Sequence, residues 1–171
     1  MLQSKGVHFM RGAKRIAYLA MASALVAAAT LFIHIPVPML SGYCNLGDGV
    51  ILCFGALLGP WAAAAGALGS AIGDLILGYA AYAPVTAAIK GTMGWIAGSA
   101  CVKARTAWQR ALWMALAEIV MAGGYFLFET VLYGVATAAG SLAGNAGQAA
   151  AGLIVGCVLW PLMGRVRKMI P

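Results

Sequence analysis

Residues 49–79 read GVILCFGALLGPWAAAAGALGSAIGDLILGY, and the number of times this run crosses a membrane decides the fold. A helix needs about 20 apolar residues, within a range of about 17–25, to cross the hydrocarbon core. The run is too long for one such helix and tight for two. Gly59-Pro60 sits in its middle, and proline cannot continue a helix without losing a backbone hydrogen bond. The sequence therefore predicts a short helix at 49–59, a tight inner turn, and a second helix at 61–79.

Charge supports the same division. Of the 11 basic residues, all but Lys90 fall in three clusters: Lys5, Arg11, Lys14 and Arg15; Lys103, Arg105 and Arg110; Arg165, Arg167 and Lys168. Cytoplasmic loops of membrane proteins carry excess Lys and Arg, so the clusters belong on one side and an even number of crossings separates each pair. Clear apolar runs lie at 16–35, 84–102, 111–134 and 145–163. Parity then requires two crossings within 49–79. The predicted fold class is all-α, an integral membrane bundle of six transmembrane helices with cytoplasmic N and C termini. Residues 1–13 read as a cytoplasmic tail and 14–168 as one membrane domain. Backbone groups in lipid must be satisfied internally, which leaves helices as the spanning element.

Composition narrows function as well. The chain is 63% hydrophobic and 9% charged, whereas soluble domains are about a quarter charged. The run at 16–35 has no persuasive cleavage site for a signal peptide. The net charge of +7 is explained by topology and anionic lipid headgroups, not by nucleic acid. Cys44, Cys53, Cys101 and Cys157 show neither metal-type spacing nor a disulfide framework, and His8 and His34 stand alone. No phosphate-binding G-x-x-x-x-G-K-[ST] loop occurs, and no catalytic constellation stands out. The expectation is no enzyme, no metal and no cofactor. Small residues recur at helical spacing, as in Gly55 and Gly59, Gly69 and Gly73, Gly94 and Gly98, and Gly152 and Gly156, a pattern that lets helix backbones approach closely.

Charges inside membrane helices are expensive and mark function by default. Here they are Asp74, Lys90, Glu118 and Glu129, with Asp48 at an outer helix start. Asp74 and Lys90 flank the outer hairpin near Ala80–Ala83 at similar distances, which predicts either a bracing ion pair or direct substrate contact. Glu118 and Glu129 lie about three turns apart on one helix face. Glu118 is about two turns from Arg110, and a cytoplasmic arginine is a ready partner. Asn145 and Gln148, spaced i, i+3, share a face at the start of the last helix, at a depth matching Glu129. These polar groups gather with Tyr79, Tyr82, Trp95 and Tyr125 in the outer half, a setting suited to a small heteroaromatic ligand. The candidate ligand contacts are Glu129, Asn145 and Gln148, then Lys90, Asn45 and Tyr125. Residues 35–48, IPVPMLSGYCNLGD, form an outer loop of lid length.

Several runs are similar to one known family. Gly42-Tyr43-Cys44-Asn45-Leu46-Gly47-Asp48, Gly69-Ser70-Ala71-Ile72-Gly73-Asp74-Leu75, Gly78-Tyr79 with Tyr82-Ala83-Pro84 and Thr86, and Ile89-Lys90-Gly91 resemble the substrate-binding S components of energy-coupling factor (ECF) vitamin transporters. Gly124-Tyr125-Phe126 with Glu129, and Asn145 with Gln148, extend the resemblance over about residues 14–166. It implies a subunit in the plasma membrane of a bacterial cell that captures a vitamin or precursor from outside. It also implies two kinds of partner, a transmembrane coupling (T) protein and two ATP-binding subunits. The resemblance further implies that an A-x-x-x-A stripe on helix 1, here Ala20, Ala24 and Ala28, faces the coupling protein. The N-L-G-D and I-K-G runs together resemble the subgroup for hydroxymethylpyrimidine, pyridoxine or related vitamins, with riboflavin and pantothenate as alternatives. The competing reading is a self-sufficient secondary transporter, although residues 16–79 and 84–163 show no repeat of the kind such carriers often contain.

Overall fold

The shortest and most buried of the principal helices organises the rest. The computed structural model describes residues 12–36 and 43–169. Helix α1 (Ala13–Phe32) leads into strand β1 (His34–Pro36), which pairs antiparallel with β2 (Tyr43–Asn45). Helix α2 (Gly47–Leu58) follows, then a 3-10 turn (Gly59–Trp61) and α3 (Ala62–Leu77). Helix α4 (Ala83–Ile96) runs into a π turn at Ala97–Cys101, and α5 (Ala107–Tyr133) and α6 (Val135–Met169) complete the order. The two-stranded hairpin is the one departure from an all-helical chain among the described residues. Part of the anticipated lid, residues 37–42, and most of the anticipated tail, residues 1–11, lie outside the described residues.

Gly59-Pro60 divides the decisive run as anticipated. Gly59 takes φ 59°, a conformation that suits glycine, and ends α2. Pro60 opens the 3-10 turn, where its missing N–H costs nothing. The chain then reverses direction: Gly47 at the start of α2 and Gly73 near the end of α3 both pack against Thr30 of α1. Among the described residues four segments are long and apolar enough to cross a membrane, Ala13–Phe32, Gly47–Leu77 taken together, Ala107–Tyr133 and Val135–Met169. Helices α2, α3 and α4, at 12, 16 and 14 residues, are each shorter than those.

Helix α2 is buried along nearly its whole length. One apolar cluster joins its Ile51 and Leu52 to Met93, Met114 and Met121, and a second joins Phe54, Leu57 and Leu58 to Ala22 and Ala62. The paired small residues are what allow such close packing. A Cβ on Gly55 would lie 2.7 Å from the Ala97 backbone, one on Gly69 would lie 2.5 Å from the Ser23 carbonyl oxygen, and one on Gly98 would collide with the Gly59 carbonyl. Between helices in lipid, where apolar burial offers little, this backbone approach supplies the van der Waals contact.

Two of the described basic residues reach the Gly59–Trp61 end. Arg15 lies over the Trp61 ring at 4.2 Å, and Arg167 donates to the Ala56 carbonyl at 3.3 Å. At the start of α5, Thr106 and Gln109 form a reciprocal capping box that satisfies backbone donors on each side. Several helix bounds differ from the sequence reading: α1 covers Ala13–Phe32, not 16–35, and α6 extends to Met169, not 163. Helix α5 begins at Ala107, not at 111, and α6 begins at Val135, not at 145. The Ala/Gly-rich residues 135–144 lack the hydropathy that marked the rest, and they nevertheless continue as helix after the single-residue break at Gly134, whose φ is 86°.

Candidate ligand-binding site

The site is built on the first turn of α2, opposite the basic end. Asp48 is fully buried there, where the helix N-terminus favours a carboxylate. Its Oδ1 pairs with the Lys90 ammonium from α4, itself 1% exposed. Its Oδ2 accepts from the Gln148 side-chain amide on α6 at 2.6 Å. The Gln148 carbonyl in turn accepts from the Asn45 backbone N–H at 2.8 Å, and Asn45 Oδ1 accepts from the Gly47 N–H at 2.8 Å. This single network ties the hairpin, α2, α4 and α6 together. Gly47 is required here, since a Cβ would sit 2.6 Å from Thr30 Oγ1 and 2.8 Å from Asn45 Oδ1.

Above the network lies a cavity of about 30 Å³, room for a water or two. Asn45, Lys90, Tyr125, Glu129, Asn145 and Gln148, the six candidate ligand contacts, all line it. Lys90 Nζ stands 5.4 Å from the centre of the Tyr125 ring, and the Tyr125 hydroxyl is 3.0 Å from Thr86 Oγ1. Glu129 is bonded to Ser141 through one oxygen and accepts from Tyr82 at 3.5 Å through the other. Tyr43, Tyr79, Tyr82 and Phe128 form a chain of ring contacts over the top, with successive centroids 4.9, 6.2 and 5.1 Å apart. Four buried side chains turned to this cavity have polar atoms with no partner: Thr30 Oγ1, Ser70 Oγ, Asp74 Oδ2 and Asn145 Nδ2.

Several expectations need correction. Lys90 pairs with Asp48 and not with Asp74, because α2 delivers a carboxylate directly to its ammonium. Asp74 Oδ1 instead accepts from the Tyr43 hydroxyl at 2.6 Å. Burial, and then that bond, push the Tyr43 phenol well above its ordinary pKa, so it remains a donor. Glu118 does not meet Arg110; it is 3% exposed and neither carboxylate oxygen has a partner. Trp95 is 57% exposed and lies outside the cavity wall. Asn145 and Gln148 sit well inside α6 rather than at its start, and Ser141, one turn earlier, is the residue that reaches Glu129.

Sequence reasoning also passed over Tyr43, Thr30, Ser70 and Ser141 as wall residues. Hydroxyls are inexpensive in membrane helices and leave no charge signal. Ala20 and Ala24, the pair anticipated for docking, are exposed on α1, and Ala28 is half-buried. In this they differ from the glycine pairs, which are consumed in internal contacts.

The sequence matches the family model for the ECF-type riboflavin transporter, S component, over residues 11–165. It is also 37% identical over 132 residues to the "uncharacterized protein in gap 3'region" of Pyrococcus woesei, covering 77% of this chain and 88% of that protein. S components bind a small vitamin and associate with a T component and ATPase modules. With its apolar bundle and its polar cavity, the chain belongs to the ECF-type riboflavin transporter S component family: it is a multi-pass membrane transport protein and not an enzyme.

Proposed function

We propose that this chain captures a small single-ring heteroaromatic vitamin or precursor, of the hydroxymethylpyrimidine or pyridoxine kind, from outside a bacterial plasma membrane. It then delivers the molecule through a T coupling protein driven by two ATP-binding subunits. The observation that carries this reading is the cavity itself. It combines tyrosine rings, a buried charge network and four unpartnered polar atoms that a ligand would satisfy. A buried polar group without a partner costs about 1–3 kcal/mol, so bound ligand offsets a standing penalty.

In this reading Glu129, Asn145 and Gln148 touch the ligand, with Lys90, Asn45 and Tyr125 beside them. The β1–β2 hairpin acts as the gate, held to the cavity rim through Tyr43 and Asn45. The chain crosses the membrane six times with both termini cytoplasmic; the reversal at Gly59-Pro60 and the gathering of Arg15 and Arg167 at that end support this. Ala20, Ala24 and Ala28 receive the coupling protein, a role supported by the exposure of the first two. Mass spectrometry of small molecules copurifying with the protein tests the substrate: a pyrimidine or pyridine is expected, and a flavin or an aliphatic acid would overturn it.

A further inference from the structure

The charges around the cavity do not balance. Lys90 is the one cation on its wall among the described residues, and its ammonium is already matched by Asp48 in direct contact. Asp74 and Glu129 also line the wall, and neither has a cationic partner among the described residues. Glu129 has both oxygens engaged, by Ser141 and Tyr82. Asp74 does not: Tyr43 occupies Oδ1, while Oδ2 is buried without a hydrogen-bond partner, the neighbouring Thr86 hydroxyl being engaged with Tyr125. Asp74 is 3% exposed, so this oxygen has no bulk water to turn to.

We propose that the ligand presents an amino or ammonium group to Asp74 Oδ2, and that the cavity rejects carboxylates. The inference rests on the ligand-capture reading and names the chemical class that the site takes. An N–H donor satisfies the one charged acceptor left open on this wall among the described residues, and a positive charge on it offsets the surplus of acids. Ser70 and Thr30, whose hydroxyl oxygens are also unpartnered, share the same cavity and are free to accept from the same amine or donate to a ring nitrogen. A ligand carboxylate has no such berth. Near Lys90 it meets Asp48, elsewhere it faces Asp74 or Glu129, and in a site of low dielectric such repulsion is poorly screened. The unpartnered donors on the wall among the described residues, Asn145 Nδ2 and the Thr30 and Ser70 hydroxyls, are all neutral, and uncharged donors do not offset the repulsion of an anion by two acids.

The test uses two probes that share a pyridine ring and differ at one substituent: pyridoxamine, with an aminomethyl group, and 4-pyridoxic acid, with a carboxylate. Calorimetric titration of the purified full-length protein should give a Kd at least about tenfold lower for pyridoxamine, as expected for a hydrogen bond to a charged group. Asp74→Asn keeps the shape and removes the charge, and it should shrink that preference by a similar factor. Ser70→Ala, read alongside, should weaken pyridoxamine without improving 4-pyridoxic acid, and thermal melting confirms that each variant is folded. Equal or tighter binding of 4-pyridoxic acid, an unchanged preference in a folded Asp74→Asn, or no binding of either probe at millimolar concentration would overturn the proposal. Tight carboxylate binding would leave the capture reading intact, since that reading stands or falls on copurified ligand and dependence on the coupling proteins.

Discussion

Replacing Lys90 by Met removes an ammonium that is 1% exposed and leaves Asp48, fully buried, without its counter-ion. Breaking a buried pair from one side typically costs about 3–5 kcal/mol, because the remaining charge is stranded. Here two features soften the loss. Gln148 still donates to Asp48 Oδ2 at 2.6 Å, and the first turn of α2 contributes about 0.3–1 kcal/mol toward a carboxylate. We therefore expect the low end, about 3 kcal/mol, seen as a clear drop in the thermal unfolding midpoint of the detergent-solubilised protein. Adding Asp48→Asn should recover most of that loss, because the substituted amide keeps an acceptor for Gln148 and carries no charge. The converse comparison is Asp74→Asn, which leaves the Asp48–Lys90 pair intact and should lower the midpoint less than Lys90→Met does. A Lys90→Met protein as stable as wild type, or a double variant no better than the single one, would refute the placement of Asp48 as the partner of Lys90.

Three further outcomes follow from the same geometry. Ala20→Leu with Ala24→Leu should abolish transport while leaving ligand binding by the isolated subunit nearly unchanged, since both positions are exposed on α1; joint loss of binding, measured by titration, would make them packing residues. Asn145→Ala should weaken ligand binding by about 0.5–1.5 kcal/mol and Glu129→Gln by about 1.5–3 kcal/mol, the cost of one hydrogen bond without and with a charged group; wild-type affinity in both would move the contacts elsewhere on the wall. A single cysteine at position 106, in a cysteine-free background, should resist a membrane-impermeant reagent applied to intact cells; ready labelling from outside would contradict six crossings.

Much of the architecture was legible because lipid imposes simple rules. Apolar length marked the helices, and the Gly59-Pro60 pair marked the reversal between α2 and α3. The polar residues inside apolar runs were few enough that Asn45, Lys90, Tyr125, Glu129, Asn145 and Gln148 were singled out, and one cavity gathers all six. Pairing was harder to read. Asp74 is nearer to Lys90 along the hairpin, but a strand and a buried helix bring Asp48 to it from 42 residues away, a distance that sequence spacing does not measure. The first turns of α6 were missed because Ala, Gly and Ser are weakly apolar. Ser141, which faces Glu129, was lost with them. Trp95 was misjudged because an aromatic at helical spacing fits a lipid-facing position as well as a pocket.

The central claim is that this subunit captures its ligand and depends on other proteins to carry it inward. Uptake of radiolabelled hydroxymethylpyrimidine and pyridoxine, measured in cells that express this chain with or without a T coupling protein and its two ATPases, addresses that claim most directly. The account predicts that the purified subunit binds at least one of the two, and that accumulation occurs only when all the partners are present and ATP is available. Accumulation by the chain alone, driven by an ion gradient, would contradict it and identify a self-sufficient carrier.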